Sequence, residues 1–476
     1  MKKNFATLLL ITIISFIFFT AIGFDVTPYL RGPGIYPPDW RWPYQFTNTI
    51  GTLWFPAIII FSILCFYLYL EKISENQINK QQGIILFLIV ILHMLLQISI
   101  LFFSRAGIGI LLQRIIHPGM NGYFTTALSI KSIPQFLTTF NQNVLSFPMH
   151  ATGHPPGSIL FFWLINKFAV ILIPFPTIIS SIHFSHQDIQ SIWQLLTLDQ
   201  KTGAIIAAGL IPFLSSLSIP LIFLLGKVFY SVRATIRSVF LYMIIPSVIL
   251  FIPLSDVFFP LFFLSSFLVF IQGLSKKNSV YLFLSGILFF VGLFFSMSLL
   301  PLLFLFIYFI IFNSHKQRKI NIKKLIHYSF ILMGGLLILP ILLFMFFHFN
   351  SFEVAKTLIS GLPKGRQYHV WFFYNLYDFF VFVGIPLSIL YLKMIFLRIK
   401  DHLFIAFTIM LFLLNFSGTV RGEVARIWLP FISILVLFLS SFVTDSLKMN
   451  RKYFICVLLL QAAQLLVMQE FWVPLW

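Results

Sequence analysis

Long apolar runs recur along the whole of this chain, and they restrict the folds that it can adopt. Of its residues, 59% are hydrophobic and 9% are charged, whereas a soluble domain has about 25% charged residues. A soluble fold would lack the polar surface needed to cover so large a core. The remaining solvent is lipid, in which backbone polar groups must be satisfied within helices or a closed barrel.

The length of the runs decides between helices and a barrel. They reach about 18 to 25 residues without alternation, which fits helices that cross a hydrocarbon core about 30 Å thick rather than barrel strands. The sequence therefore predicts an all-α, polytopic integral membrane protein with about 12 to 14 transmembrane helices. The predicted spans are 5–24, 50–70, 83–103, 158–182, 203–228, 234–253, 257–274, 279–296, 298–313, 326–348, 373–397, 402–418, 426–444 and 452–470.

The charge distribution predicts a topology. The chain has 32 Lys and Arg against 13 Asp and Glu, a net charge of +19. Most of the cations lie in short connections between apolar runs, as is typical of cytoplasmic loops, so we expect no nucleic-acid partner. Residues 24–49 and 104–157 then become outer loops, with room for short interfacial helices. We predict a single transmembrane domain over 1–476 and no separate soluble domain.

The span predicted at 158–182 conflicts with this topology. The segments before and after it both fall on the outer side, so a single crossing breaks the alternation. A bend near Asn166–Lys167 or near Pro174–Pro176 would turn it into a re-entrant element. One misplaced basic loop would also resolve the conflict.

Acidic residues are scarce enough to be placed individually. Glu71, Glu75, Asp401 and Asp445 accompany basic loops, and we expect them to be solvated loop charges. The rest of the 13 fall at predicted outer loops or outer helix ends. Such a one-sided distribution predicts a site at the outer face, because a transporter would place polar groups near the bilayer midplane.

The first outer loop carries the acids of greatest interest. Asp25 comes directly after the first span, and Asp39 and Arg41 lie beside Trp40 and Trp42 in a proline-rich stretch. Proline prevents regular helix, so we expect a stiff loop that presents carboxylates and guanidiniums at the membrane–water boundary. A structural cap with interfacial aromatic anchors is the alternative interpretation.

Three further clusters hold candidate ligands for an anion or a sugar. His154 precedes Pro155-Pro156 at a predicted helix start, where an anion is favoured. Arg366 offers bidentate hydrogen bonds to a phosphate, and Tyr368 offers a ring to a sugar or to the interface. Glu423 and Arg426 are three residues apart, which suits either an ion pair or a ligand contact.

Asp25 after the first helix and the later His154-Pro155-Pro156 motif resemble the GT-C class of membrane glycosyltransferases. The nearest branch is the superfamily of protein O-mannosyltransferases and lipid A aminoarabinose transferases. The resemblance implies a GT-C fold and transfer of a hexosyl or pentosyl group from a polyprenyl-phosphate donor. It places Asp25 at the catalytic aspartate and a basic residue near the lipid phosphate. Val26 departs from the acidic pair of many members, which leaves open whether Asp25 or Asp39 is catalytic.

The expected mechanism is a single, inverting displacement at the anomeric carbon. Asp25, or alternatively Asp39, takes the proton of the acceptor hydroxyl. Positive charge from Arg41, His154, Arg366 and Arg426 stabilises the departing phosphate. The acceptor is a glycan, a lipid or a protein at the extracytoplasmic side of the cell membrane.

The sequence does not predict a metal site, and two other classes of function are alternatives to glycosyl transfer. No residue spacing indicates a metal site, although a divalent cation bridging carboxylate and phosphate is compatible with these residues. A lipid-linked oligosaccharide polymerase or ligase would use similar outer loops. A transporter or flippase would need polar groups deep in the spans and internal symmetry, and neither is evident in the sequence.

Overall fold

The computed structural model describes residues 2–35, 39–46, 48–104, 107–171, 179, 182–184, 187–315, 322–361 and 365–472. These residues are mostly helical and form no strand, apart from one isolated bridge between Tyr44 and Trp472. The prediction of an all-α, polytopic membrane protein is confirmed.

The first half of the chain forms helices of 6 to 22 residues. They are α1 (Lys2–Gly23), α2 (Trp54–Leu70), α3 (Glu75–Lys80), α4 (Gln82–Phe102), α5 (Gly109–Ile116), α6 (Tyr123–Leu128), α7 (Ile133–Asn143), α8 (Gly157–Ala169), α9 (Gln187–Leu195), α10 (Leu198–Ser216), α11 (Ser218–Phe229) and α12 (Val232–Met243). Helices α5 to α7 lie in the predicted outer loop 104–157, as the fold prediction anticipated.

The second half continues with further helices. They are α13 (Pro246–Leu250), α14 (Phe259–Lys276), α15 (Ser279–Phe295), α16 (Leu303–His315), α17 (Ile322–Phe347), α18 (Ser351–Ser360), α19 (Tyr368–Val383), α20 (Ile385–Phe396), α21 (His402–Ser417), α22 (Val424–Ile427), α23 (Leu429–Ser441) and α24 (Arg451–Phe471). Single turns of 3-10 helix cover Pro28–Arg31, Ile50–Thr52, Val144–Ser146, Met149–Gly153, Ser255–Phe258 and Met297–Leu302, and Phe442–Ser446 is a π-helix.

The number of full-length spans is lower than the sequence suggests. Among the described residues, 8 helices are long and apolar enough to cross a membrane, or up to 9 if the bent pair α19–α20 counts as one span. Four predicted spans correspond to shorter apolar helices of 10–17 residues: α2, α8, α15 and α21. The predicted span 234–253 is interrupted, because the chain leaves helix α12 at Ile244 and restarts at Pro246.

The predicted span 373–397 is also broken. It begins earlier, at Tyr368, and its two helices meet at Gly384 with a bend of 118°. Gly384 has φ +109°, a conformation that other residues rarely adopt. The backbone groups freed by the break are satisfied by α24, since Gln461 Nε2–H donates to Val383 O at 2.6 Å and Gln464 Oε1 accepts from Ile385 N–H at 2.7 Å.

The structure tests one of the two bends proposed for the predicted span 158–182. Helix α8 runs without a break through Asn166–Lys167, so the suggested bend does not occur there. Lys167 is exposed, with its Nζ 5.5 Å from the ring centre of Trp163. The alternative bend near Pro174–Pro176 lies outside the described residues, so the topology of this segment stays a prediction.

The helices group into two compact units. The first comprises Met1–Ile108, Pro212–Ile252 and Pro363–Leu475, and the second comprises Gly109–Ile211 and Pro253–Leu362. In the first unit, α12, α13 and α23 form the core, where Val239, Ile249 and Leu435 are fully buried. In the second unit, α15 packs against α14 and α17. Both units contain candidate spans, and the single transmembrane domain over 1–476 stays a prediction.

One of the acids that we expected to be solvated is buried in the first unit. The side chain of Glu71 is 6% exposed and that of Arg237 is 3% exposed, and Arg237 Nε–H donates to Glu71 Oε1 at 3.1 Å. Tyr67 O–H donates to the same oxygen at 2.9 Å. The prediction for Glu71 is therefore wrong, because its side chain is buried in an ion pair with Arg237 of α12. Glu75, in contrast, is exposed as expected.

Candidate functional site

Helix α19 presents one buried face that organises the candidate site. Trp371, Asn375, Asp378 and Phe382 are separated by four, three and four residues, so they align on one side of the helix. None of them is more than 8% exposed. Three carry polar groups inside an apolar segment, and buried polar groups require hydrogen-bond partners. Two connecting segments of the same unit supply these partners.

The first loop, residues 24–49, is fastened to this face at two points. Trp42 is 2% exposed, and its Nε1–H donates to Asp378 Oδ1 at 2.8 Å. Three residues earlier, Asp39 Oδ1 accepts from Trp371 Nε1–H at 3.1 Å. Elsewhere on α19, Tyr377 and Tyr374 O–H donate to the carbonyls of Leu30 and Tyr29 at 2.8 and 3.3 Å. Together these contacts hold the loop along α19 and Asp39 beside the indole of Trp371.

Asp25, the first candidate for the catalytic base, is engaged by Arg31 within the first loop. Arg31 Nε–H and Nη2–H donate to the two carboxylate oxygens at 3.0 and 2.9 Å. The same guanidinium donates through Nη1 to the carbonyl of Trp42 at 2.8 Å. The bidentate ion pair therefore shapes the loop and occupies both oxygens of Asp25.

Asp39 is placed differently from Asp25. The described residues give it a single hydrogen bond, from Trp371 to Oδ1. Its side chain is half-buried and lies against Gly34, where a Cβ would come within 2.9 Å of Oδ2. Within the described part of the chain, Oδ2 therefore has no donor and is available to accept one.

The second loop, residues 418–428, is held by the same face of α19. Asn375 Oδ1 accepts from Gly422 N–H at 2.9 Å. Asp378 Oδ2 accepts from Ala425 N–H at 3.1 Å. One helix face thus holds two loops that are far apart in the sequence.

Arg366, Glu423 and Arg426 form a chain of ion pairs. Glu423 Oε1 accepts from Arg366 Nη2–H at 3.3 Å, and Oε2 accepts from Arg426 Nη2–H at 3.0 Å. Both guanidiniums are buried, and that of Arg366 lies 5.4 Å from the ring centre of Trp371. Glu423 and Arg426, which are three residues apart, do form an ion pair. The two predicted phosphate ligands Arg366 and Arg426 share one carboxylate.

Two other guanidiniums at the site have no carboxylate partner among the described residues. Arg41 donates to two carbonyls of the first loop at 3.1 and 3.2 Å and lies 5.3 Å from the ring centre of Tyr29. Arg421 donates to the carbonyls of Gly418 and Arg366 at 3.1 and 2.6 Å. Carbonyl oxygens do not neutralise a positive charge, so these two arginines give the site its cationic character.

Tyr368 stands at the start of α19 with its ring accessible. Its O–H donates to the carbonyl of Phe416 at 2.8 Å, and Arg421 lies 5.8 Å from its ring centre. The residue is 39% exposed. The hydroxyl is thus used by the protein, while the ring remains open to a ligand or to the membrane interface.

His154 belongs to the second unit and is described there by itself. It follows a 3-10 turn and precedes α8, which begins at Gly157, in keeping with the predicted helix start. Its ring lies 5.5 Å from that of Tyr123 and perpendicular to it. The second unit also buries Arg114, and burial lowers the pKa of that guanidinium to about 10, which still leaves it protonated at neutral pH.

Gly422 shows how closely the second loop packs on the site. It has φ +95°, and a Cβ there would lie 2.5 Å from Arg366 Nη1 and 3.0 Å from the ring of Trp371. We expect Gly422→Ala to lower the free energy of unfolding by about 1–3 kcal/mol because of backbone strain and this overlap. Thermal unfolding in detergent measures it. Gly51→Ala is the control, since nothing lies within 4 Å of its Cβ; equal melting temperatures for the two variants would contradict the prediction.

Several residues of the site were given no individual role from the sequence. Asp378 and Asn375 show a recognisable pattern, since polar residues at helical spacing within an apolar run mark a face that needs partners. Arg31 and Arg421 show none, because they act through loop contacts that no local spacing rule describes. No group of three or more His, Cys, Asp or Glu side chains within the described ranges could hold a metal ion.

Comparison with known proteins adds no relative to this description. No protein-family model matches the chain, and no curated protein matches it significantly.

Proposed function

We propose that this protein is a membrane glycosyltransferase that moves a sugar from a polyprenyl-phosphate donor to an acceptor hydroxyl at the extracytoplasmic face of the cell membrane. The observation that carries the proposal is the presence, in one unit, of an available carboxylate oxygen and of guanidiniums that no described carboxylate neutralises. Asp39 supplies the oxygen, and Arg41 and Arg421 supply the positive charge. All three belong to the assembly around α19.

The carboxylate fits the role of a general base. Proton transfer needs an acceptor within hydrogen-bond reach of the attacking hydroxyl. Asp39 Oδ2 supports this role because no described residue donates to it, whereas both oxygens of Asp25 are engaged by Arg31. We therefore favour Asp39 over Asp25 as the base and assign to Asp25 the shaping of the first loop.

The cations fit the role of stabilising a departing phosphate. A guanidinium forms strong, bidentate hydrogen bonds to phosphate oxygens, and preorganised positive charge lowers the barrier when negative charge develops on the leaving group. Arg41 and Arg421 are already held by carbonyl groups and need little reorganisation. Because Glu423 partly neutralises Arg366 and Arg426, these two serve mainly to orient the second loop.

Two exposed aromatic rings at the site are also suited to contact a sugar. Tyr29 is 60% exposed and Tyr368 is 39% exposed, each beside an arginine. Aromatic faces next to guanidiniums suit a ligand that has both an apolar sugar face and an anionic group. Displacement by the acceptor in one step would invert the anomeric centre, as the GT-C resemblance implies.

The proposal is tested by transfer from a defined donor. Purified protein in proteoliposomes, given a radiolabelled polyprenyl-phosphate hexose or pentose and membrane-extracted acceptor, should form a product of inverted configuration. We expect Arg41→Gln combined with Arg421→Gln to raise the donor KM by about tenfold or more, since each charge-assisted hydrogen bond is worth about 1.5–3 kcal/mol. Lys72→Gln, at an exposed loop position, is the control. Absence of transfer from every such donor, or a retained configuration, would rule the proposal out.

A transporter is the second candidate, and one observation favours it. His93 and Gln97 on α4 are fully buried, and His93 Nδ1 lies 3.0 Å from Ser216 Oγ. Buried polar residues within a span often mark a transport path. Uptake of the labelled sugar or lipid into sealed vesicles without product formation would favour this reading, and a polyprenyl-pyrophosphate glycan as the required donor would favour a polymerase or ligase.

A further inference from the structure

We infer that Asp378 is a positioning residue that fastens both loops of the candidate site to α19 and thereby sets the place of Asp39. The catalytic consequence rests on the proposed function, but the structural role does not.

The two oxygens of Asp378 are divided between the two loops. Oδ1 accepts from the indole of Trp42, 336 residues away in the sequence, at 2.8 Å. Oδ2 accepts from Ala425 N–H, 47 residues away, at 3.1 Å. A single side chain therefore joins three segments that no local interaction would bring together.

The burial of this carboxylate argues that an acid is required there. Asp378 is 8% exposed within an apolar helix, where a carboxylate is costly unless its oxygens are hydrogen-bonded. A carboxylate only accepts, and both of its partners here are N–H donors. Asparagine at this position could satisfy one donor through its carbonyl, but its own NH₂ group would face the other. An apolar side chain would satisfy neither.

The attachment of Trp42 also determines where Asp39 lies. Residues 39–46 contact α19 at Asp378 through Trp42 and at Trp371 through Asp39, and these helix residues are seven positions, about two turns, apart. An earlier part of the first loop is held separately, because Tyr377 and Tyr374 O–H donate to the carbonyls of Leu30 and Tyr29 at 2.8 and 3.3 Å. Of these contacts, the one made by Trp42 adjoins Asp39 in the sequence. Since a shift of about 1 Å in a reacting group can cost about 10²-fold in rate, the Trp42 attachment is expected to matter for catalysis.

The geometry distinguishes positioning from direct catalysis. Asp378 is 8% exposed and each of its oxygens already accepts from a protein donor, which fits a positioning role rather than proton transfer. The residue acts through Asp39 and through the second loop, which carries Arg421.

Hydrogen exchange of the full-length protein in lipid nanodiscs tests the structural role without any assay of transfer. We expect Asp378→Asn to speed backbone exchange in residues 39–46 and in the second loop. Trp42→Phe removes the hydrogen bond to Oδ1, retains an aromatic ring beside Phe382, and should speed exchange in 39–46 alone. In both variants the core helix α23 should keep its protection. Unchanged exchange in both loops, or faster exchange throughout the first unit including α23, would overturn the inference.

Sugar transfer by the same variants is the second test. With kcat expressed per folded molecule, we expect Asp378→Asn to lower it by about 10²-fold, and Trp42→Phe to lower it with little change in donor KM. A wild-type protein that transfers no sugar refutes the proposed function and leaves the exchange result to decide on Asp378. Normal kcat in an Asp378→Asn protein whose loops exchange faster would show that the attachment does not place Asp39, which also overturns the inference.

Discussion

Asp39→Asn should lower kcat for sugar transfer by about 10²–10⁴-fold, the range expected for loss of a general base. An amide oxygen cannot take the acceptor proton, while the side chain keeps its shape and its carbonyl can still accept from Trp371 Nε1–H. Donor binding should persist, because Arg41 and Arg421 are unaltered. The measurement is initial rate against donor concentration, which separates kcat from KM.

Two comparisons make this result specific. Glu75→Gln removes an exposed carboxylate outside the site and should leave the rate unchanged. Asp25→Asn breaks the bidentate pair with Arg31 and should loosen the first loop, with a smaller loss of kcat than Asp39→Asn. If Asp25→Asn abolished transfer while Asp39→Asn retained it, Asp25 would be the base, as the family resemblance implies, and our assignment would be wrong.

Glu71→Ala should destabilise the folded protein by about 3–5 kcal/mol, the cost of leaving one partner of a buried ion pair uncompensated. Arg237 would keep a charge in a side-chain environment that is 3% exposed, with Met449 O at 2.9 Å as a remaining acceptor and the ring of Phe454 at 4.9 Å. Unfolding by a denaturing detergent, followed by circular dichroism, measures the change.

A double variant shows whether the unpaired charge is the cause. Replacing the pair together, as Glu71→Leu with Arg237→Met, removes both charges and retains much of the volume, and such replacements are often neutral or stabilising. We expect it to recover most of the stability lost in Glu71→Ala. Equal destabilisation by the single and the double variant would indicate lost packing instead.

The residue types alone indicated several members of the candidate site, but not the hydrogen-bond partner of each side chain. The sequence indicated Asp25, Asp39, Arg366, Glu423 and Arg426 as polar residues in unusual places, and the structure brings all five into the first unit around α19. It did not indicate which of them neutralise one another. The family resemblance favoured Asp25 over Asp39, yet Asp25 has both oxygens bonded to Arg31, whereas no described residue donates to Asp39 Oδ2.

The break in the predicted span 373–397 likewise depends on contacts that the local sequence does not show. Gly384 followed by Pro386 is a plausible interruption in any apolar run, but its 118° bend depends on glutamines of α24. The hydropathy of residues 373–397 predicts one span, because it averages over the break. The stabilising amide contacts lie 78 and 79 residues away and cannot enter such an average.

The polytopic helical membrane fold follows from the sequence, because apolar run length and the need to satisfy the backbone in lipid are local properties. The burial of the Glu71 side chain, the pairing of Asp25, and the attachment of two loops to α19 through Asp378 became visible only in the folded structure. The partners of Glu71 and Asp378 lie 166 and 336 residues away in the chain. Asp25 and Arg31 are six residues apart, but they meet only in the folded conformation of the first loop. Folding selects such partners through the packing of whole helices, which no single segment encodes.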